Sequence, residues 1–476
     1  MSTASVVRFN KPDFSYQSRI KIAELPSPIK DGSALDSFAD MVPEMQSTGR
    51  RSERLSVLET FNRQHTKSSK LPEERRIYFT TNFKSRRITE PIMKPWKDEK
   101  DPRVVAICII PLLGIALGFM IGAYLVYAGY RGVPKHNFCP VLNEDWSNGI
   151  DPNTWTREVN LGGFGTGEFE WTTDSDSNAF VQNGKLHIRP TLTSDTLGVA
   201  AVTNGYTVDL TADGSCTGTT AAECIAVSNA TESTILPPVQ SARLISKGKF
   251  SMKYGKVEIK ARMPRGDWLW PAIWMLPEDS VYGPWPMSGE IDIAEGRGNG
   301  RSYKSGGRNV ISSTLHWGPS SVLDGFWRTN NGNEQFHSDY TGEFFTYGLE
   351  WTDKYLYTYI NNHLRQVFYI KFDEPFFTRG QWPAIDKTNK TAIANPWAGA
   401  HNNVAPFDQE FYLILNVAVG TSFGFFPDGV GNKPWVDGTA TAKQDFYSAL
   451  DTWYPTWGSG DHRDMVVESV KAWKLC

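Results

Sequence analysis

The chain has 476 residues, 21% of them charged and 40% hydrophobic, with a formal net charge of −3. That length excludes a single small domain and allows two or three regions. The bland total hides an uneven distribution: residues 1–103 carry 20 Lys and Arg against 14 Asp and Glu, while 16 of the 17 Trp follow residue 137.

Residues 1–103 show no sustained apolar period and are rich in Ser, Arg, Pro and Glu, as in KSSKLPEERR. This composition reads as a disordered cytosolic tail. It suits a trafficking or phosphorylation platform, with Ser27 before Pro28 one candidate, or a solvated tail and nothing more. Acidic residues are interspersed among the basic ones and no binding module is visible, so nucleic acid is excluded as a partner.

Residues 104–130, VVAICIIPLLGIALGFMIGAYLVYAGY, contain no charge. At ~1.5 Å per residue they span roughly 40 Å, enough to cross a hydrocarbon core of ~30 Å with some tilt. A buried core helix would show a polar face, and a cleaved signal peptide would be shorter and N-terminal. Lys84, Arg86, Arg87, Lys94, Lys97, Lys100 and Arg103 precede the run, whereas Arg131 and Lys135 follow it. The positive-inside rule then predicts a type II membrane protein, with a transmembrane signal anchor and the C-terminal region luminal or extracellular.

Cysteine usage fits that side of a membrane. Cys108 lies in the span, and Cys139, Cys216, Cys224 and Cys476 all follow it. Four cysteines in an oxidising compartment allow three pairings. The favoured one joins Cys216 to Cys224 across a short polar loop and Cys139 to Cys476 at the two ends of the domain. Asn229-Ala-Thr231 and Asn389-Lys-Thr391 are acceptor sequons for glycosylation.

Residues 131–138 read as a linker, and 139–476 as one all-β domain. Short alternating runs recur, among them KLHIRP, GKFSMKYGKVEIKARM, NVISSTLHW, YLYTYINN, FYLILNVAVG and MVVESVKAW. Gly, Asn, Asp and Pro punctuate them, and the expectation is a two-sheet β-sandwich.

Within it, GEIDIAEGRGN (289–299) carries Glu290, Asp292 and Glu295. In a regular strand Glu290 and Asp292 share a face and Glu295 points away. A β-bulge at Ala294 would return Glu295 to that face and leave Ile291 and Ile293 to the core. The two Glu Cα atoms would then lie roughly 13 Å apart. Inward-leaning side chains could bring their carboxyls to the ~5–5.5 Å of a retaining glycosidase. An exposed acidic strand is the ordinary alternative. Trp268, Trp270, Trp274 and Trp285 lie just upstream, and aromatic faces beside carboxylates suit a carbohydrate cleft. His316 either donates to substrate or holds one of the carboxylates. No His/Cys set has metal-ligand spacing, so neither a catalytic metal nor a cofactor is implied.

The run from QSARLISKGKF through ARMPRGDWLWPAIWMLP to WPMSGEIDIAEGRGN resembles glycoside hydrolase family 16. The likeness is to its laminarinase-like branch of β-1,3-glucanases and β-1,3-glucan-binding proteins. STLHWGP, FTYGLEWTD, LNVAVG, FFPDGVGNKPW and WYPTW follow in matching order, so the resemblance covers roughly residues 140–476. It implies a concanavalin-like jelly roll and a β-glucan partner. It further implies Glu290 as nucleophile, Glu295 as general acid/base and Asp292 as the carboxylate that tunes the nucleophile. Arg243, Trp270, Trp274, Trp285 and His316 match positions near substrate. Two departures concern cleft shape: Phe345 where many relatives have His, and a loop insertion over 211–235. Hydrolysis of β-1,3 or mixed β-1,3/1,4 glucan is the leading expectation, in cell-wall remodelling as in fungi. Transglycosylation, a glucan-binding receptor and a biosynthetic accessory protein are its rivals.

Overall fold

A computed structural model describes residues 89–97, 102–132, 136–385 and 390–476. Most of the tail, Ser27 included, and Asn389 of the second sequon lie outside the described residues. The chain divides into two units, Met1–Ile110 and Pro111–Cys476. The first contains a single turn of 3-10 helix, Pro95–Lys97, and the start of helix α1, Pro102–Gly132. Within α1, the 25 residues Val105–Gly129 are long and apolar enough to cross a membrane. The helix overruns the expected 104–130 at both ends, and the first strand starts at Phe138.

The rest of the second unit is built on two eight-stranded antiparallel sheets. Their strands in chain order are β1 Phe138–Glu144, β2 Thr156–Arg157, β3 Ala179–Gln182, β4 Lys185–Ile188, β5 Arg243–Ile245, β6 Ser251–Met252, β7 Gly255–Arg262 and β8 Leu269–Pro277. They continue with β9 Glu290–Gly296, β10 Val310–His316, β11 Asn330–Glu334, β12 Phe345–Trp351, β13 Tyr355–Ile360, β14 Gln366–Lys371, β15 Phe411–Val419 and β16 Met465–Leu475. One sheet runs β14-β13-β12-β7-β16-β4-β3, with β1 beside β16; the other runs β11-β10-β9-β8-β15-β5-β2, with β6 beside β15. The alternating sequence runs named above all become strands, because each offers one apolar face. Val257, Ile259 and Leu349 of the first sheet meet Ile273, Ile291 and Leu415 of the second in one buried cluster. The sandwich expectation holds, with Cys139 joined to Cys476 and Cys216 to Cys224.

Three sequence expectations need correction. The 211–235 segment is not a plain loop. Helix Ala221–Cys224 starts with a capping box from Thr220 and Glu223, and Ile225–Val227 pairs with Thr207–Asp209. Val208, Leu210 and Leu236 give this region a small core of its own. Phe345 is buried in the opposite sheet with its ring 4.9 Å from Tyr340, so it lines the core and not a cleft. Trp268 is likewise core: its ring packs edge-on against Phe426 and Trp435 at 5.4 and 5.1 Å.

Candidate active site

Strand β9 contains the irregularity that the carboxylate spacing demands. Against β8, Ile273 faces Ala294 and the next residue, Trp274, faces Asp292. Against β10, Asp292 faces Thr314 while Glu295 faces Ser312, three residues against two. The extra residue falls at Ile293–Ala294, and both side chains are buried. Beyond the bulge Glu295 turns back to the face of Glu290 and Asp292. Burying Ile291 and Ile293 is worth about 1.5–3 kcal/mol each. A one-residue slip would exchange them with the acids, so the register is strongly held. Glycine brackets the strand. Gly289 has φ +82, and a Cβ on Gly298 would lie 2.4 Å from the Gly266 carbonyl oxygen.

Each carboxylate has its own partner. The Trp285 indole N–H donates to Glu290 Oε2 at 2.6 Å. Trp270 donates to Glu295 Oε1 at 3.0 Å. Asp292 is buried, whereas Glu290 and Glu295 are half-buried. His316, directly across from Glu290 in the β9–β10 register, places Nε2 3.3 Å from Asp292 Oδ2. That is an ion-pair distance without hydrogen-bond alignment, since Asp292 Oδ2 has no aligned donor. Its Nδ1 lies 2.5 Å from Asp324 Oδ2, and Asp324 Oδ1 accepts from the backbone N–H groups of Trp317 and Phe326.

Aromatic walls flank the acids. Trp270 stacks on Phe425 at 3.8 Å, and Arg297 fixes the Phe425 carbonyl with two hydrogen bonds, from Nε and Nη2 at 2.9 and 2.7 Å. Trp274 donates to Asn416 Oδ1 at 2.8 Å. Arg243 is buried, paired with Glu158 at 2.6 Å, and wedged between the Phe164 and Trp274 rings. It supports Trp274 rather than presenting a free charge. The structure thus gathers Glu290, Asp292, Glu295, Trp270, Trp274, Trp285 and His316, with Arg243 behind them. Asn229 sits apart in a turn where its Oδ1 accepts from the Thr231 N–H. Asp324, Asn416, Phe425 and Glu158 were not singled out from the sequence. Asn416 had a signal, as the one polar residue in FYLILNVAV, and Phe425 opens the run FFPDGVGNKPW; Asp324 and Glu158 had none.

Burial pushes the Glu290 carboxyl up to about 8, and the Asp292 charge adds to it, against His316 and the Trp285 N–H. Burial raises Asp292 to about 6, helped by the Glu295 charge and opposed by His316. Burial also raises Glu295, with His316 and Trp270 pulling the other way. His316 stands well above its ordinary value: burial alone would lower it, but the Glu290, Asp292 and Asp324 carboxylates outweigh burial. The acids therefore retain protons to unusually high pH beside a charged imidazolium. One ligand atom each from Glu290, Asp292 and His316 lies within 4.8 Å of the others, a set that could hold a cation. The imidazolium already supplies the positive charge there, with one nitrogen committed to Asp324 and the other facing Asp292.

Comparison with known proteins adds a lineage. Residues 200–405 match the family model "Glycosyl hydrolases family 16". A Beta-1,3-glucan-binding protein of Penaeus monodon is 38% identical over 349 residues, covering 71% of this chain and 91% of that one. Glucan endo-1,3-beta-glucosidase A1 of Niallia circulans is 31% identical over 301 residues, 62% of this chain and 33% of that protein. The laminarinase catalytic domain of Thermotoga maritima superposes with a TM-score of 0.44 at 24% identity, covering 71% of this chain and 99% of that chain. That last likeness is too loose to carry an argument.

Proposed function

The chain belongs to family 16 of the glycosyl hydrolases, and from that premise we propose that it is a retaining β-glucan hydrolase acting on β-1,3 or mixed β-1,3/1,4 linkages. The observation that carries the proposal is the bulge in β9, which sets Glu290 and Glu295 on one face with an indole N–H on each. Glu290 attacks the anomeric carbon while Glu295 protonates the departing glycosidic oxygen, and the C–O bond breaks. Glu295, now ionised, takes a proton from water as that water displaces Glu290 and restores both acids. Burial and the Asp292 charge favour a proton on Glu290, which must leave before Glu290 attacks. His316 and the Trp285 N–H stabilise the carboxylate that remains. Trp270 and Trp274 offer ring faces to the sugar.

A sugar hydroxyl in place of water would make the same site a transglycosylase. We assign helix α1 as a type II anchor, with the tail cytosolic, Asn229 and Asn389 as glycan acceptors, and remodelling of the cell's own wall glucan as the setting. The apolar helix and the two disulfides support this placement. A second reading, glucan binding without turnover, is favoured by the name of the Penaeus monodon relative. Incubating the full chain with laminarin, lichenan and β-1,6-glucan separates these. The proposal expects turnover of a β-1,3-containing glucan, abolished in Glu290→Gln and Glu295→Gln. A folded parent that binds laminarin but never cleaves it would leave a receptor.

A further inference from the structure

The loop after β10, Trp317 to Thr329, carries exposed rings that the two displacement steps do not use. Phe326 and Trp327 occupy a single 3-10 turn, Phe326–Arg328, and are 43% and 58% exposed. They are not adrift. Gly325 N–H donates to the Trp317 carbonyl at 2.7 Å. The buried Trp317 indole donates to Thr329 Oγ1 at 2.8 Å, and that hydroxyl donates on to the Leu315 carbonyl. Asp324 ties the loop to His316. Such bracing fixes the rings in place before any ligand arrives, which lowers the entropic cost of binding.

The rings are also continuous with the carboxylates. Trp285, itself 46% exposed, lies 5.6 Å from His316, and Phe326 stacks on the same imidazole at 5.4 Å. Trp327 is the next residue in the same turn, 58% exposed and with the Arg328 guanidinium 4.0 Å from its ring centre. Trp285 and Phe326 are linked through His316, Trp327 adjoins Phe326 in the chain, and exposed apolar rings grouped in this way mark an interaction site. Running outward from a carboxylate cleft, it fits a ligand whose units repeat. A pyranose offers a face of weakly positive C–H groups to the negative face of an aromatic ring.

Resting on the reading of the site as a glucanase, we propose that Phe326 and Trp327 form a sugar-binding shelf that holds a further glucosyl unit of the same glucan chain, beyond the unit at Glu290. The shelf selects for chain length: long glucans reach it and short oligosaccharides do not. In transglycosylation it would also hold the glucan on that side of the cleft against displacement by water.

The test uses the full chain in detergent with Glu295→Gln, so that binding is read without turnover. Affinity for laminarin and for laminaribiose is measured by calorimetry, with and without Trp327→Ala. The shelf predicts roughly tenfold weaker laminarin binding and an unchanged laminaribiose affinity, the size expected for truncating an exposed aromatic anchor. Trp327→Phe, which keeps a ring, should recover most of the loss, and Phe336→Ala, another exposed aromatic outside the row, should cost nothing. Equal laminarin affinity in a folded Trp327→Ala chain would overturn the shelf. So would equal losses for both ligands, or a change only in self-association or vesicle binding. A parent that binds laminarin but has no turnover before the Glu295 change would refute the glucanase reading while still reading out the shelf.

Discussion

Replacing Trp285 by Phe keeps the ring and removes one donor. The lost bond is the 2.6 Å contact from the indole N–H to Glu290 Oε2. Hydrogen bonds to charged groups are worth about 1.5–3 kcal/mol, and a half-exposed donor belongs at or below the lower end because water replaces it. A loss of about 1–1.5 kcal/mol corresponds to roughly five- to twelvefold in kcat/KM. The effect has a signature in pH. The N–H holds the Glu290 carboxyl down against the burial that lifts it to about 8, so Trp285→Phe lifts it further. A smaller fraction is ionised at any pH below that value, and the acidic limb of the kcat/KM profile moves to higher pH. Initial rates on laminarin from pH 4 to 9 would measure both. An acidic limb that stays put, with kcat/KM within twofold of the parent, would refute the claim that this indole tunes the nucleophile.

Other consequences follow from the same geometry. Burial raises Glu290 to about 8 in the fold, above its ordinary carboxylate value, so its stabilising contribution is complete below the unfolded value and is lost as pH rises through the folded one. Glu290→Gln should therefore leave melting temperature unchanged near pH 4 and raise it by roughly 1–2 °C per kcal/mol relieved at pH 9; equal melting points at pH 9 would contradict the burial argument. Asp324→Asn removes a carboxylate that raises His316. The imidazolium's contribution is fully present below its ordinary value and lost through the raised one, so this variant's thermal deficit should be largest at acidic pH and fade in alkali. Cys139–Cys476 closes 337 residues of chain and Cys216–Cys224 only 8. On chain entropy, Cys476→Ala should cost about 6 kcal/mol and Cys224→Ala about 2–3 kcal/mol, read from denaturant unfolding.

What was legible in the sequence is what depends on local periodicity. Ile291 and Ile293 between acids announce a strand with one apolar face, and the odd spacing of Glu295 announces a bulge, because a strand's faces alternate with a strict period of two. Runs such as YLYTYINN read correctly for the same reason. Contacts that the fold makes between distant segments were not legible. Asp324 reaches His316 through the closure of an irregular loop, and Phe425 meets Trp270 across 155 positions of chain. Trp268 was grouped with its neighbours Trp270 and Trp274, yet it precedes β8 with a φ of +69, which turns its ring into the core. Phe345 matched a motif by position, but only the sheet order reveals that β12 lies in the sheet opposite the acids.

The central claim is that Glu290 carries the sugar covalently while Glu295 handles the proton. An activated 2-deoxy-2-fluoro laminaribioside, which slows both displacement steps but slows release of the enzyme-bound sugar more, should accumulate the intermediate. Peptide mass mapping of the full chain after that incubation is the most direct measurement. The account predicts one glycosyl adduct, on the peptide holding GEIDIAEGRGN and at Glu290, that disappears in Glu290→Gln. An adduct at Glu295 or Asp292, or turnover of the reagent with inversion and no adduct at all, would contradict it.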